Sequence, residues 1–368
     1  MADVIVIGGG IAGVSAAAEL ARSGAAVVVL EAEPQIGYHA TGRSAAIFIR
    51  NYGNATLRGL NAVAEPIFEE PGEISSKPLL SPRGELMVAT EEELPVLDAY
   101  LEGSTGIDRL TGKEAAEIVP ILRADRIAGA MIERNARGID VDLLLQGYAR
   151  ILRARGGQIV TGAAVTHLTR EAGLWQVMTA QGSFAAPVVV NAAGGWADQV
   201  ATIAGVPRAG LQPFRRSAAI IPAPEGFDTE HWPIFGGIAE TWYAKPEAGK
   251  LMVSPADEDP VEPHDAWADD MVLAEGLYRF EQAVNVPVTR VEHSWAGLRT
   301  FAPDRTPVVG FDPQAEGFFW LAGQGGYGVQ TAPALSRLTA ALIAGSTPDV
   351  SDAVVAGMVP GRFAAATE

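Results

Sequence analysis

No cysteine occurs anywhere in the 368 residues. Disulfides, thiolate-bound zinc, iron–sulfur clusters, thiol catalysis and a flavin tethered through cysteine are excluded on that ground. Histidine is scarce too. His39, His167, His231, His264 and His293 fall at no paired spacing that a metal would need, so no metal site is expected. Positive charge is short as well: 27 Lys plus Arg against 44 Asp plus Glu leave a net charge of -17. The phosphates of a nucleic acid and an anionic membrane surface would both be repelled. The same acidity favours solubility and can steer cationic small molecules inward. No run approaches the roughly 18 apolar residues of a membrane helix, so no transmembrane segment is expected. The apolar N-terminus lacks a basic leader and reads as a first strand from Asp3, which makes the cytoplasm the expected location.

What is present is a large apolar fraction, 48%, enough to bury the cores of two ordinary domains. The chain begins with Asp3-Val4-Ile5-Val6-Ile7, a β-branched run suited to a buried parallel strand. Gly8-Gly9-Gly10-Ile11-Ala12-Gly13 follows at once, then a helical stripe of Ile11, Val14, Ala18 and Ala21 that stops at Gly24. A second strand, Ala26 to Leu30, closes on Glu31. In such a βαβ unit Gly8 permits the tight turn, Gly10 lets the backbone approach a pyrophosphate, and Gly13 allows the helix to lie close on the strand. The helix N-terminus offers free N–H groups and the positive end of its dipole to phosphate. Glu31, 18 residues beyond Gly13, stands where a carboxylate accepts ribose hydroxyls. The unit by itself does not separate FAD from NAD.

Two further stretches favour FAD. Glu33 to Ala46 is too polar and too rich in glycine for a core element, and its Thr41, Arg43 and Ser44 carry donors suited to phosphate and flavin edges. Near the C-terminus the strand Phe318–Ala322 runs into Gly323-Gln324-Gly325-Gly326-Tyr327-Gly328 and a helix from Val329 to about Ala344. A helix N-terminus there would stabilise negative charge on a reduced flavin ring. Two such units far apart in sequence suit one extended cofactor. Between them, Asp142 is placed to cap a helix from Leu143 to Arg155, Gly156-Gly157 ends it before a strand Gln158–Thr161, and Val188–Ala192 reads as another buried strand.

The stretches Gly37-Tyr38-His39-Ala40-Thr41-Gly42-Arg43-Ser44-Ala45-Ala46, Pro78–Arg83, Leu211–Ser217, Trp295-Ala296-Gly297-Leu298-Arg299 and Gln324–Gly328 together resemble the D-amino-acid oxidase/glycine oxidase superfamily. Within it they look closest to the D-arginine dehydrogenase branch. The resemblance covers nearly the whole chain. It implies an α/β fold with a Rossmann-type, glutathione-reductase-like FAD domain from residues 1–71, 141–209 and 295–368. An inserted α+β substrate domain, 72–140 and 210–294, would carry a mixed or antiparallel sheet. It also implies a non-covalent FAD held by Gly8, Gly10, Ile11, Gly13, Glu31, Ala32, Thr41, Gly42, Arg43, Ser44 and Ala45. Val165, Ala193, Gly194, Trp196, Gly325, Gly326, Gly328, Gln330 and Thr331 complete that set.

Oxidation of a Cα–N bond by hydride transfer leaves the protein to clamp the carboxylate, aim the Cα–H and exclude water. Arginine suits the clamp because its planar fork binds carboxylate in two places and stays charged. Arg299 is the first candidate and Arg216 the second; Arg215 and Arg216, adjacent on a strand, would face opposite sides. The resemblance turns Arg216 inward, brings the Tyr52 and Tyr243 hydroxyls to the carboxylate with Tyr52 on a mobile loop, and gives the Gly326 carbonyl to the amine. Glu85 matches the position that pairs with a cationic substrate side chain. Ile47 and Ile49 depart from the D-arginine-type pattern, where a histidine and a threonine stand, and favour bulkier apolar side chains. The expected substrate is therefore a free D-amino acid, basic or broadly hydrophobic, with quinone or oxygen as electron acceptor. The alternatives are a secondary amine such as an N-substituted glycine, a nicotinamide-dependent dehydrogenase, and a flavin-binding protein serving recognition or RNA modification.

Overall fold

The computed structural model describes residues 2–363. A six-stranded sheet is built in the order Val308–Phe311, Phe318–Ala322, Val188–Asn191, Val4–Ile7, Val27–Leu30, Gln158–Val160. Every neighbouring pair is parallel except the first, which is antiparallel. The β-branched runs are buried on both faces, which is why they read as unbroken apolar stretches. Val4 and Val6 meet the helices Ile11–Arg22, Val141–Ala154 and Gly328–Ala344 on one face. Ile5 and Ile7 meet Leu168, Trp175 and Val177 on the other, where Val165–Glu171, Leu174–Thr179 and Gly182–Ala186 form a small antiparallel sheet.

The cap of the Val141–Ala154 helix is Asp140, whose carboxylate accepts the Leu143 N–H at 2.9 Å. Asp142, expected as the cap, sits inside the first turn and accepts from Gln146 instead. The strands at Gln158–Val160 and Val188–Asn191 each end one residue earlier than read from sequence.

A second, nine-stranded sheet is mixed. Gln212–Pro222 is its longest strand, and Ile234–Gly237 pairs parallel to Glu85–Ala89 while the other pairings are antiparallel. His293–Phe301 belongs to this sheet, pairing with Gln212–Pro222 from His293↔Ile220 to Phe301↔Gln212. The expected boundary at residue 295 therefore cuts through a strand that the backbone ladder holds as one piece. An aromatic cluster of Phe235, Trp242 and Phe280 packs one face of the sheet, with Phe280 delivered by the helix Asp270–Ala283. At the seam, Ile47–Phe48, Arg137–Ile139 and Leu80–Pro82 make a further sheet of three short strands. No helix among the described residues is long and apolar enough to cross a membrane.

Candidate active site

The carboxyl ends of Val4–Ile7, Val27–Leu30 and Val188–Asn191 open onto one long groove. Its floor depends on glycine. A Cβ on Gly8 would stand 2.3 Å from the Ala192 carbonyl oxygen, and one on Gly13 2.0 Å from the Gly8 carbonyl oxygen. Strand, turn and helix therefore close on each other only without side chains there. Glu31 is buried at one end, with its oxygens accepting the Gly9 N–H at 2.5 Å and the Glu33 N–H at 2.8 Å. From Glu31 and Ala32 the groove passes Gly8, Gly10, Ile11 and Thr41, takes Val165, Ala193 and Gly194 along its side, and reaches Trp196, Gly325 and Gly328. Thr300, which the sequence reading missed, lines it with a buried hydroxyl that lacks a protein partner. An acid at one end, a helix N-terminus in the middle and another at the far end fit an extended flavin dinucleotide.

Several residues expected at the cofactor also bond to protein atoms, some as donors and Thr41 and Ser44 as acceptors. The Arg43 fork reaches the carbonyls of Ala266 at 2.8 Å and Ala296 at 3.0 Å, and pairs with Asp265. It ties the glycine-rich loop to the second sheet and leaves little for a phosphate. Thr41 accepts the Ile11 N–H at 3.0 Å and so caps the first helix. The Ser44 hydroxyl accepts from Ala46, next to Ala45, and Gly42 turns the chain with its N–H on the Gly37 carbonyl. Thr331 is fully buried, its N–H and hydroxyl both donating to the Tyr327 carbonyl, so it has no free donor for a cofactor. The Gln330 side chain is likewise spent on Ile49 and Asn61.

Beside the groove lies a smaller cavity in two lobes that share Arg216, Tyr243, Arg299 and Gly326. Adjacent arginines on the Gln212–Pro222 strand separate as alternation requires. Arg215 pairs outward with Asp257 and Asp259, while Arg216 faces the cavity. Among the described residues nothing hydrogen-bonds the Arg299 guanidinium, and no carboxylate lies within ion-pair distance of it. Burial works against its charge, but the nearby Tyr52 and Tyr243 hydroxyls, Glu240 and Glu258 outweigh it and hold its pKa above the ordinary range. Gly326 makes room for it, since a Cβ there would come within 3.0 Å of a guanidinium nitrogen. Burial also raises the Tyr52 pKa, so its hydroxyl stays a donor. Arg216 differs from Arg299. Glu258 accepts from it at 3.0 Å and from Arg305 at 2.8 Å through the same oxygen.

Ile47, Ile49, Met87, Ile234 and Trp242 line the other lobe, with Glu85 among them. Glu85 is buried, and among the described residues the one hydrogen-bond partner of its carboxylate is the Tyr100 hydroxyl at 3.5 Å. Burial, then Glu133 and Glu240, push its pKa up to about 8.

The Tyr52 stretch, anticipated as a mobile loop, is tied to the protein by several side chains. Asn61 donates to the carbonyls of Ile49, Arg50 and Tyr52, Gln330 bonds both ends of the Ile49 backbone, and Glu133 accepts from Arg50 and Asn51. An irregular segment buried at a seam must have its backbone groups satisfied, and here side chains from three separate elements do it.

A family profile described as FAD dependent oxidoreductase (DAO) matches residues 3–342. Mitochondrial dimethylglycine dehydrogenase of Rattus norvegicus is 26% identical over an alignment of 357 residues that covers 89% of this chain and 41% of that protein. The chain thus spans well under half the length of that relative. Glycine oxidase from Geobacillus kaustophilus superposes with a TM-score of 0.84 at 23% identity, covering 98% of both chains. L-proline dehydrogenase from P. horikoshii gives a TM-score of 0.85 at 23% identity, covering 98% of this chain and 97% of that one. The two structural likenesses show the fold.

Proposed function

The chain belongs to the DAO family of FAD-dependent oxidoreductases, and from that premise we propose that it oxidises the Cα–N bond of a free D-amino acid, basic or broadly hydrophobic. The observation that carries this reading is Arg299, which lines the cavity with no hydrogen-bonded partner among the described residues, beside Tyr52 and Tyr243 hydroxyls that also lack protein partners there. A half-buried guanidinium whose donors have no hydrogen-bond acceptor is costly unless a ligand supplies one, and a carboxylate is the complement of this donor set.

Bound FAD supplies the hydride acceptor. Arg299 and Arg216 hold the substrate carboxylate, and Tyr52 and Tyr243 donate to it. The Gly326 carbonyl accepts from the amine and fixes its orientation. No carboxylate or histidine is assigned as a base, because an amine that enters neutral needs none; kcat/KM should then rise with pH along a single ascending limb. The imino acid released hydrolyses to a 2-oxo acid and ammonia. Ile47, Ile49 and Met87 favour an apolar substrate side chain, whereas Glu85 provides for a cationic one. The D configuration rests on the resemblance of the Arg299, Arg216, Tyr52 and Glu85 set to that of D-arginine dehydrogenases.

Similarity to dimethylglycine dehydrogenase and glycine oxidase favours a second reading, oxidation of an N-substituted glycine at the same clamp. Anaerobic mixing of the FAD-loaded protein with D-arginine, D-leucine, their L-forms and sarcosine separates the two by loss of the visible flavin band. Bleaching by the D-forms alone supports the first reading; bleaching by sarcosine alone replaces it with the second. Arg299→Gln should raise KM or abolish turnover, at least a hundredfold in kcat/KM, while leaving the bound FAD spectrum in place.

A further inference from the structure

Two carboxylates stand side by side inside the second sheet. Glu85 and Glu133 are cross-strand partners on Glu85–Ala89 and Gly129–Glu133, and both are buried, Glu133 to 2% exposure. Like charges so placed oppose each other. Glu85 has the cavity in front of it, whereas Glu133 faces the backbone that leads into Tyr52. Its two oxygens accept the Arg50 N–H at 2.9 Å and the Asn51 side-chain amide at 2.6 Å. Asn51 cannot turn its amide over, because its oxygen accepts the Thr105 N–H at 3.0 Å and its nitrogen also donates to the Thr105 carbonyl at 3.0 Å. The position opposite Asn51 must therefore accept, and so must the position opposite Arg50. Only a carboxylate presents two acceptors; a glutamine would set an NH2 group against that of Asn51.

We propose that Glu133 is a positioning residue of the amino-acid site, holding the Arg50-Asn51 backbone so that the next residue, Tyr52, aims its hydroxyl at the space in front of Arg299. This rests on the functional reading above, in which Tyr52 binds the substrate carboxylate. The Asn61 and Gln330 bonds fix the same stretch from the first domain, so Glu133 is the tie from the substrate sheet. Seated on the strand next to Glu85, it sets the distance between the carboxylate clamp and the lobe that receives the side chain.

The test uses the full FAD-loaded chain and benzoate as a carboxylate probe, followed through the perturbation of the flavin spectrum. Glu133→Gln, Tyr52→Phe and the double variant form a cycle. Each single change should weaken benzoate about tenfold, and the double variant should be no weaker than the poorer single, because both act through one hydroxyl. FAD content should not change. Multiplied losses in the double variant, or wild-type affinity in Glu133→Gln, would overturn the proposal. Should Glu133→Gln fail to fold, Asn51→Ala replaces it in the same cycle with the same two outcomes. Failure of the unsubstituted protein to bind benzoate would refute the functional reading instead. Hydrogen exchange then still decides the tie: Glu133→Gln should speed exchange across residues 49–53, and unchanged protection there would refute it.

Discussion

Glu85 has a pKa raised to about 8 by burial and by its acidic neighbours Glu133 and Glu240. Its folded-state pKa lies above the ordinary carboxylate value of 4.5, so the folded chain binds this proton more tightly than the unfolded one. The penalty is absent below pH 4.5, grows as the pH climbs toward 8, and is constant above. Glu85→Gln should thus leave the Tm nearly unchanged at pH 4.5 and raise it at pH 9, by a gain on the order of a few kcal/mol. Calorimetry at the two pH values checks this; equal Tm differences at both would show that Glu85 titrates normally. A cationic substrate side chain would pull the carboxyl into its ionised form. The ratio of kcat/KM for D-arginine to that for D-leucine should therefore rise with pH up to about 8 in the wild type and stay flat in Glu85→Gln. At this scale the local pattern separates Arg215 from Arg216 by strand alternation, while the choice of Arg216 as the inward one came from the resemblance; both Arg216 and Arg299 line the cavity. Glu133 and Glu258 were not legible, because each acts on partners 82 or 42 positions away that only the folded chain brings near.

At the scale of elements, periodicity and glycine punctuation carried the reading. The Phe318–Ala322 strand and the helix after it lie where the unbroken apolar run and the apolar stripe put them, and the Ile11–Arg22 helix ends just before Gly24, which has a φ of +91°. The error over Asp140 and Asp142 is instructive. Both acids precede Leu143, and the choice between them depends on which residue leaves the extended conformation first. Asp140 stays extended at φ -78° and ψ 96°, and its carboxylate reaches the free N–H of Leu143. Asp140→Ala should cost about 1 kcal/mol of stability, while Asp142→Ala should cost no more than a few tenths, from a weakened first-turn charge interaction. Urea denaturation of the two variants measures both. Equal losses would mean that the cap bond adds nothing beyond the helix dipole. The Tyr52 stretch could not be read at this scale at all. Its short, irregular pattern looks like a free loop, and of the buried amides that hold it, Asn61 comes from the helix that follows at once but Gln330 from one 281 positions away.

Over the whole molecule, the cofactor groove and the amino-acid cavity meet at one strand. His293–Phe301 pairs into the nine-stranded sheet, yet its Leu298 and Thr300 line the groove while Arg299 faces the cavity. A boundary drawn at residue 295 missed this because the strand serves both sides. Arg43 is the cross-tie at this junction: it leaves the glycine-rich loop, bonds the Ala296 carbonyl on the shared strand, and reaches Ala266 and Asp265 on the segment in front. Its fork is committed to protein atoms, so its effect on FAD is through the loop it anchors. Arg43→Ala frees two carbonyls and an aspartate at a half-buried seam and lets that loop part from the sheet. FAD affinity should fall at least tenfold, as reported by quenching of flavin fluorescence during reconstitution of the apoprotein. At saturating FAD the KM for the amino acid should stay within about twofold, since Arg299, Arg216 and the two tyrosines are anchored elsewhere. A direct contact from Arg43 to the cofactor would give another pattern. Arg43→Lys would then restore affinity through its charge, whereas an anchoring fork that spans two carbonyls and a carboxylate is not replaced by a single ammonium group. Rescue by lysine would show that the groove is held shut by charge at the cofactor; no rescue would show that it is held by the fork across the seam.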